Sequence, residues 1–218
     1  MSSTPSPIAR AVYDAGCRDC PRLATFLDQV KAANPAYFCK PVAPFGAIDA
    51  PLVIVGLAPG MHGANRTGRP FTGDYAGILL YDTLRKFGFA RGTFSPNGDD
   101  DLELTGCRIT NAVKCLPPEN KPEPSEIKTC NHFLKADLAQ GGAKVLLALG
   151  TIAHGAILTA LGMKKSAHGF KHGVAYELPN GAHLLDSYHC SRYNTNTGRL
   201  TAQMFEDVFA DARKLVDA

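Results

Sequence analysis

Four cysteines carry the spacing of a metal site. Cys17 and Cys20 form the C-x-x-C of "CRDC", while Cys115 ends "AVKC" and Cys130, separated from it by fourteen residues, falls in a helical stretch. Two thiol pairs on separate elements can offer four thiolates, a donor set that suits zinc or an iron–sulfur cluster, and spacing alone does not choose between these. The plainer reading is four buried thiols in a small core. A second concentration of chemistry is the loop "GLAPGMHGANRTGRPFTGD", residues 56–74, with five glycines, two prolines, two arginines and a single acid, Asp74. A corner needs two or three such residues. So many glycines let backbone amides approach a ligand closely, as anion-binding loops do. A third is "SYHCSRYNTNTG", which places His189 among small and polar residues.

These residues need elements to hold them. "PLVIVG" (51–56), "GCRITNAVKC" (106–115, its strand ending near Asn111), "AKVLLALG" (143–150) and "HLLDSYHC" (183–190) read as four buried strands. Helical patterns lie between and around them at 21–33, 76–88, in "SEIKTCNHFLKADLA", in "TIAHGAILTALG", and from about Thr201 to Val216. Ser125 is the expected cap of the middle helix, with Pro117, Pro118, Pro122 and Pro124 stopping before it. Strands alternating with helices imply a single domain over 1–218, an α/β protein with a three-layer α/β/α arrangement and a central, mostly parallel four-stranded sheet. Ligands of such sheets gather outside the carboxyl ends of the strands, here Gly56, Asn111, Gly150 and His189.

Composition narrows the class without choosing a function. The 218 residues are 45% hydrophobic and 20% charged, which is ordinary for a soluble globular protein. A net charge of +3 and a pI near 8.4 permit a nucleic-acid partner and do not require one. No apolar run is long enough for a membrane span, and "MSSTPSPIARAVYDAG" lacks a secretory pattern, so the expected location is cytoplasmic. In a reducing compartment the seven cysteines should be metal ligands, reactive thiols or packing residues. Packing accounts for Cys107 in its strand and Cys39 beside Phe38.

Three strings taken together, "GLAPGMHGANRTGRPFTGD", "TNAVKCLPPENKP" and "SYHCSRYNTNTGRLT", resemble the motifs of the uracil-DNA glycosylase superfamily. Within it the chain looks like the type B (family 5) enzymes of bacteria and archaea, over nearly its whole length and in motif order. The resemblance implies a monofunctional DNA-repair hydrolase. Such an enzyme flips uracil out of double- or single-stranded DNA and cleaves its N-glycosidic bond, leaving an abasic site. It also implies a [4Fe-4S] cluster on Cys17, Cys20, Cys115 and Cys130, in a protein that acts as a monomer.

The same resemblance distributes roles. His189 matches the histidine that donates a hydrogen bond to uracil O2, Asn111 the base-reading asparagine, and Phe71 the aromatic on which the extruded base stacks. Asp74 matches the proposed catalytic aspartate, whose plainer reading is a helix N-cap, and Asn120 a residue near the attacking water. Gly56 and Ala58 belong to the base-binding loop, and Asn194 lies near the site. Arg192 or Tyr193 would wedge into the gap left by the base. Arg66, Arg69, Lys114, Lys121 and Arg199 are candidate phosphate contacts, though each alone is more often a solvated charge.

His62, His132, His154, His168, His172 and His183 are read as ordinary satisfied histidines. The chain departs from the superfamily at Leu57 and Ala58, where family 1 and family 4 enzymes carry the water-activating acid. It also has Asn111 where some type B members have a small residue, which favours uracil over deaminated purines. The alternatives are a non-catalytic module that binds damaged or single-stranded DNA, and a small zinc hydrolase acting on a nucleotide.

Overall fold

The computed structural model describes residues 12–218. In chain order the elements are α1 (Pro21–Ala33), β1 (Leu52–Gly56), α2 (Ala64–Thr67), α3 (Tyr75–Lys86), β2 (Ala90–Arg91), β3 (Glu103–Leu104) and β4 (Cys107–Asn111). These are followed by α4 (Pro124–Gly141), β5 (Val145–Leu149), α5 (Thr151–Ala160), β6 (Ala175–Glu177), β7 (His183–Ser187), α6 (Arg192–Asn196) and α7 (Ala202–Asp217). β1, β4 and β5 are buried along their whole length, as parallel strands covered on both faces must be.

The pleat sorts their side chains. Leu52, Ile54, Val145, Leu147 and Leu149 point to one layer, where Leu80 and Leu84 of α3 and Phe205 and Phe209 of α7 cover them. Val53, Val55, Leu146 and Ala148 point to the other, against α5 and Leu134 of α4. Truncating one of the buried leucines, Leu80→Ala for instance, would cost about 2–5 kcal/mol.

The central sheet corrects the expected count. It has five strands in the order β4-β1-β5-β7-β6, four parallel and the last antiparallel to β7. β6 is three residues at an edge, "AYE", and never fully buried, so no apolar run announces it. The small β2–β3 pair is a second, antiparallel sheet. The cap of α4 differs too. The helix starts one residue before Ser125, with Pro124 in the first turn and Glu123 as cap. Glu126 accepts the Glu123 N–H at 2.7 Å, completing a capping box. Proline's fixed φ suits a first helical position, so the proline run enters the helix. Among the described residues no helix is long and apolar enough to cross a membrane.

Candidate active site

β1 and β4 run in register so that Gly56 sits opposite Asn111. The pairing continues past the strands, with Ala112 N–H donating to Gly56 O at 2.9 Å and Val113 N–H to Leu57 O at 3.0 Å. These ends form the floor of an open cleft of about 580 Å³, lined among others by Leu57, Ala58, Gly60, Phe71, Asp74, Tyr75, Asn111, Asn120, His189, Ser191 and Arg192. That volume lies within the range of small-ligand sites.

Gly56 is there for space. A Cβ on it would stand 2.4 Å from Asn111 Oδ1 and 2.8 Å from the Phe71 ring. Asn111 is buried, and its side-chain amide is engaged by no protein group among the described residues. Phe71 adopts a left-handed φ of 55°, a conformation a bulky residue holds only when its surroundings enforce it. The enforcement is visible on both sides of it. The Tyr81 hydroxyl donates to Pro70 O at 2.6 Å, and the Thr72 hydroxyl to Arg69 O at 2.7 Å. Beyond Phe71, α3 begins so close that a Cβ on Gly77 would collide with Phe71 O. The Phe71 ring faces His189, with centroids 5.9 Å apart and planes 26° from parallel.

Asp74 caps α3, one carboxylate oxygen accepting the Gly77 N–H at 3.1 Å. The other oxygen faces the glycine loop, where a Cβ on Gly63 would come within 2.7 Å of it. The side chain is open to water on the cleft side and enclosed by protein elsewhere. That enclosure raises its pKa above the usual carboxylate value, against the opposing pull of the Gly77 and Ala76 amides. His189 lies two residues beyond β7, and burial pushes its pKa down to about 4, so the imidazole is neutral at physiological pH. Neither ring nitrogen has a hydrogen-bond partner among the described residues. Its backbone oxygen is held, at 2.8 Å, by the Asn194 side-chain amide.

The remaining candidates separate. Asn120 stands at the cleft mouth, exposed, with φ 57° at the end of the turn Pro118–Asn120. Arg192 and Tyr193 open α6. The Arg192 guanidinium lies 5.7 Å from the centroid of the Tyr75 ring, and Tyr193 is 72% exposed. Arg199 lies over Tyr188 at 4.8 Å, and exposed Lys121 pairs with Glu119 at 3.1 Å. Arg66 is knitted to His62 O, Pro96 O and Asn97.

Two candidates are corrected. Arg69 is not available to phosphate, because it makes a two-pronged pair with Asp100 at 2.6 and 2.7 Å inside a box of Phe45, Tyr81 and Phe94. That pairing holds the Asp100 pKa down to about 2. Lys114 is fully buried, its ammonium donating to Thr110 Oγ1 and, at 3.1 Å, to Asn111 O. Tyr75 and Ser191 line the cleft although the motifs did not point to them. Their place beside Asp74 and at the cap of α6 was the available signal.

The four cysteines meet away from the cleft. Cys17, Cys20, Cys115 and Cys130 line one small cavity with Leu23, Val113 and Phe133. Cys20 caps α1 and Cys130 sits on α4, and a two-pronged Arg22–Glu126 pair at 2.8 Å ties these helices together. The Lys114 N–H donates to Cys130 Sγ at 3.3 Å. Burial, then the neighbouring thiols, pushes the pKa of Cys115 up to about 12 and that of Cys20 to about 11. Among the described residues, no three His, Cys, Asp or Glu side chains are grouped as ligands of one ion.

The sequence itself has relatives. The model of the uracil DNA glycosylase superfamily matches residues 43–213. A type-5 uracil-DNA glycosylase of Thermus thermophilus is 47% identical over 91% of this chain and 93% of its own length. One of Mycobacterium tuberculosis is 40% identical over 91% and 78%, and one of Pyrobaculum aerophilum 38% identical over 90% and 87%. Match and identity span the strands and loops that build the cleft, and the chain belongs to the uracil DNA glycosylase superfamily.

Proposed function

We propose that this chain is a type-5 (type B) uracil-DNA glycosylase that hydrolyses the N-glycosidic bond of uracil in DNA and begins base excision repair. The observation that carries the reading is the convergence of Phe71, Asp74, Asn111 and a neutral His189 on one cleft at the strand ends. Breaking the C1′–N1 bond sends an electron pair onto the base and leaves a cation-like sugar. A neutral imidazole N–H donates to uracil O2 as negative charge gathers there, the kind of donor worth about 3–4 kcal/mol in a transition state. Asn111 offers a donor and an acceptor to the O4/N3 edge, and Phe71 a face for the ring.

Asp74, ionised at neutral pH, orients the attacking water or stabilises the sugar by charge, with Asn120 beside it. Water is the nucleophile, so the enzyme is monofunctional. Arg192 or Tyr193 fills the gap left in the duplex. The protein works as a monomer in the cytoplasm on double- or single-stranded DNA. The test is excision from oligonucleotides carrying uracil, hypoxanthine or xanthine, single-stranded and opposite each base. Turnover of uracil is expected; tight binding without release of base would leave the protein a binding module.

Cys17, Cys20, Cys115 and Cys130 fit a [4Fe-4S] cluster as structural ligands. What supports this is four thiols around one small cavity and an N–H aimed at one sulfur. Bound there, the cluster would be held by these four cysteines and would supply a structural cross-link between α1, α4 and the chain after β4. Anaerobically purified protein should be brown and hold iron and inorganic sulfide. A colourless, zinc-loaded protein would overturn this assignment.

A further inference from the structure

His172 lies outside the cleft and yet holds the segment that carries His189. β7 pairs with the chain around β6 through Gly173 N–H to Asp186 O at 2.8 Å and Asp186 N–H to Val174 O at 3.0 Å. One step further along this ladder, the Tyr188 N–H finds not a backbone carbonyl but the ring of His172, donating to Nδ1 at 3.1 Å. The rings of His172 and Tyr188 stack at 4.9 Å and 6°. On the other side of the same dipeptide, the His189 carbonyl accepts from Asn194 at 2.8 Å. Tyr188–His189 is therefore pinned at both ends by side chains from outside β7, while the His189 ring stacks on Phe71 and has no hydrogen bond among the described residues. Where its backbone goes, the ring goes.

We propose that His172 is a positioning residue for His189, its Nδ1 acting as the last acceptor of the β6–β7 ladder and fixing the height at which the His189 imidazole meets the base. The role rests on the glycosylase reading for its effect on rate, and on geometry alone for its effect on His189. Accepting at Nδ1 requires a neutral ring with its proton on Nε2. Burial, which lowers the His172 pKa against the opposing pull of the Met204 backbone and the Asp207 charge, favours that neutral ring.

The test compares His172→Phe, which keeps a stacking ring and removes the acceptor, with His172→Asn, whose Oδ1 replaces Nδ1. At saturating enzyme, the single-turnover rate on uracil DNA should fall about 10- to 100-fold in His172→Phe, the usual cost of losing an outer support or of an ångström-scale displacement. Affinity for DNA carrying a non-hydrolysable 2′-fluoro uracil nucleotide should change much less, and His172→Asn should recover most of the rate. A second readout does not need catalysis. The His189 imidazole, followed by NMR, should titrate higher in His172→Phe than in the wild type, and as the wild type does in His172→Asn. Failure of the wild type to release uracil would sink the proposed function and leave the NMR comparison standing. A wild-type rate together with unchanged His189 titration in His172→Phe, or an Asn variant no better than Phe, would overturn the positioning role.

Discussion

His154 and His189 stand around the end of the same strand and are treated in opposite ways. His154, on α5, is buried, with Nδ1 2.7 Å from Asp186 Oδ1 and Nε2 2.9 Å from His168 O. Asp186, fully buried on β7, takes its other contact from the Lys171 N–H at 3.2 Å. Both ring nitrogens of His154 and both carboxylate oxygens of Asp186 are used, as buried polar groups require. His189 lines a cleft, and neither of its ring nitrogens has a hydrogen-bond partner among the described residues. Asp74, its counterpart acid, spends one oxygen on a helix cap and turns the other toward the glycine loop. A histidine–acid pair that satisfies itself builds a fold. A histidine and an acid each left unsatisfied on either side of a cavity await a third party.

Asp74→Asn is the sharpest way to break that contrast, since asparagine caps helices as well as aspartate does. Excision of uracil should fall by a factor on the order of 10²–10⁴, with the melting temperature little changed. Single-turnover kinetics against a denaturation curve would show it, and an unchanged rate would return Asp74 to a capping role alone. His189→Ala should follow, losing about 10²–10³ in rate with a small effect on stability, because no protein hydrogen bond goes with the ring. His154→Phe should behave in the reverse sense. It leaves the buried Asp186 Oδ1 and the part-buried His168 O without these partners, costing about 1–3 kcal/mol of stability in chemical denaturation, while the folded protein keeps its rate. If His154→Phe were stable and inactive, the division between the two histidines would be wrong.

How far the chain could be read ahead of its structure follows the same division. Strands such as "LVIVG" and "VLLAL" were legible because parallel strands covered on both faces must be apolar throughout. β6 was not, since an exposed three-residue edge strand leaves no pattern. Asn111 and His189 stand at strand ends and Asp74 is the single acid of the glycine loop, and all three line one cleft. Arg69 and Lys114 looked like solvent-facing cations for want of information at a distance. Arg69's partner Asp100 is 31 residues away in an irregular loop. Lys114 turns inward at a chain reversal that no periodicity describes, its amide bonded to Cys130 and its ammonium to β4. His172 was passed over for a related reason: its work is done through a neighbour's backbone, which a residue pattern does not record.

The smallest expected effect bears on whether Asp74 is held at a cost. Its pKa in the folded protein is raised by burial, so the folded state binds its proton more readily than the unfolded chain does. Stability from this group is complete below the unfolded carboxylate pKa and is lost as pH rises through the folded one. At pH 7, then, the ionised carboxylate weighs slightly against the fold, and neutral asparagine does not. Asp74→Asn should melt at or slightly above the wild-type temperature at pH 7, within about 1 kcal/mol given that the two residues cap equally well. The gap should close as pH falls through the carboxylate range, where the wild-type side chain becomes neutral in both states. A variant that instead melts well below wild type at pH 7 would mean that the carboxylate's charge at the start of α3 stabilises the fold. Asp74 would then belong with Asp186, as a group whose partners are all inside the protein.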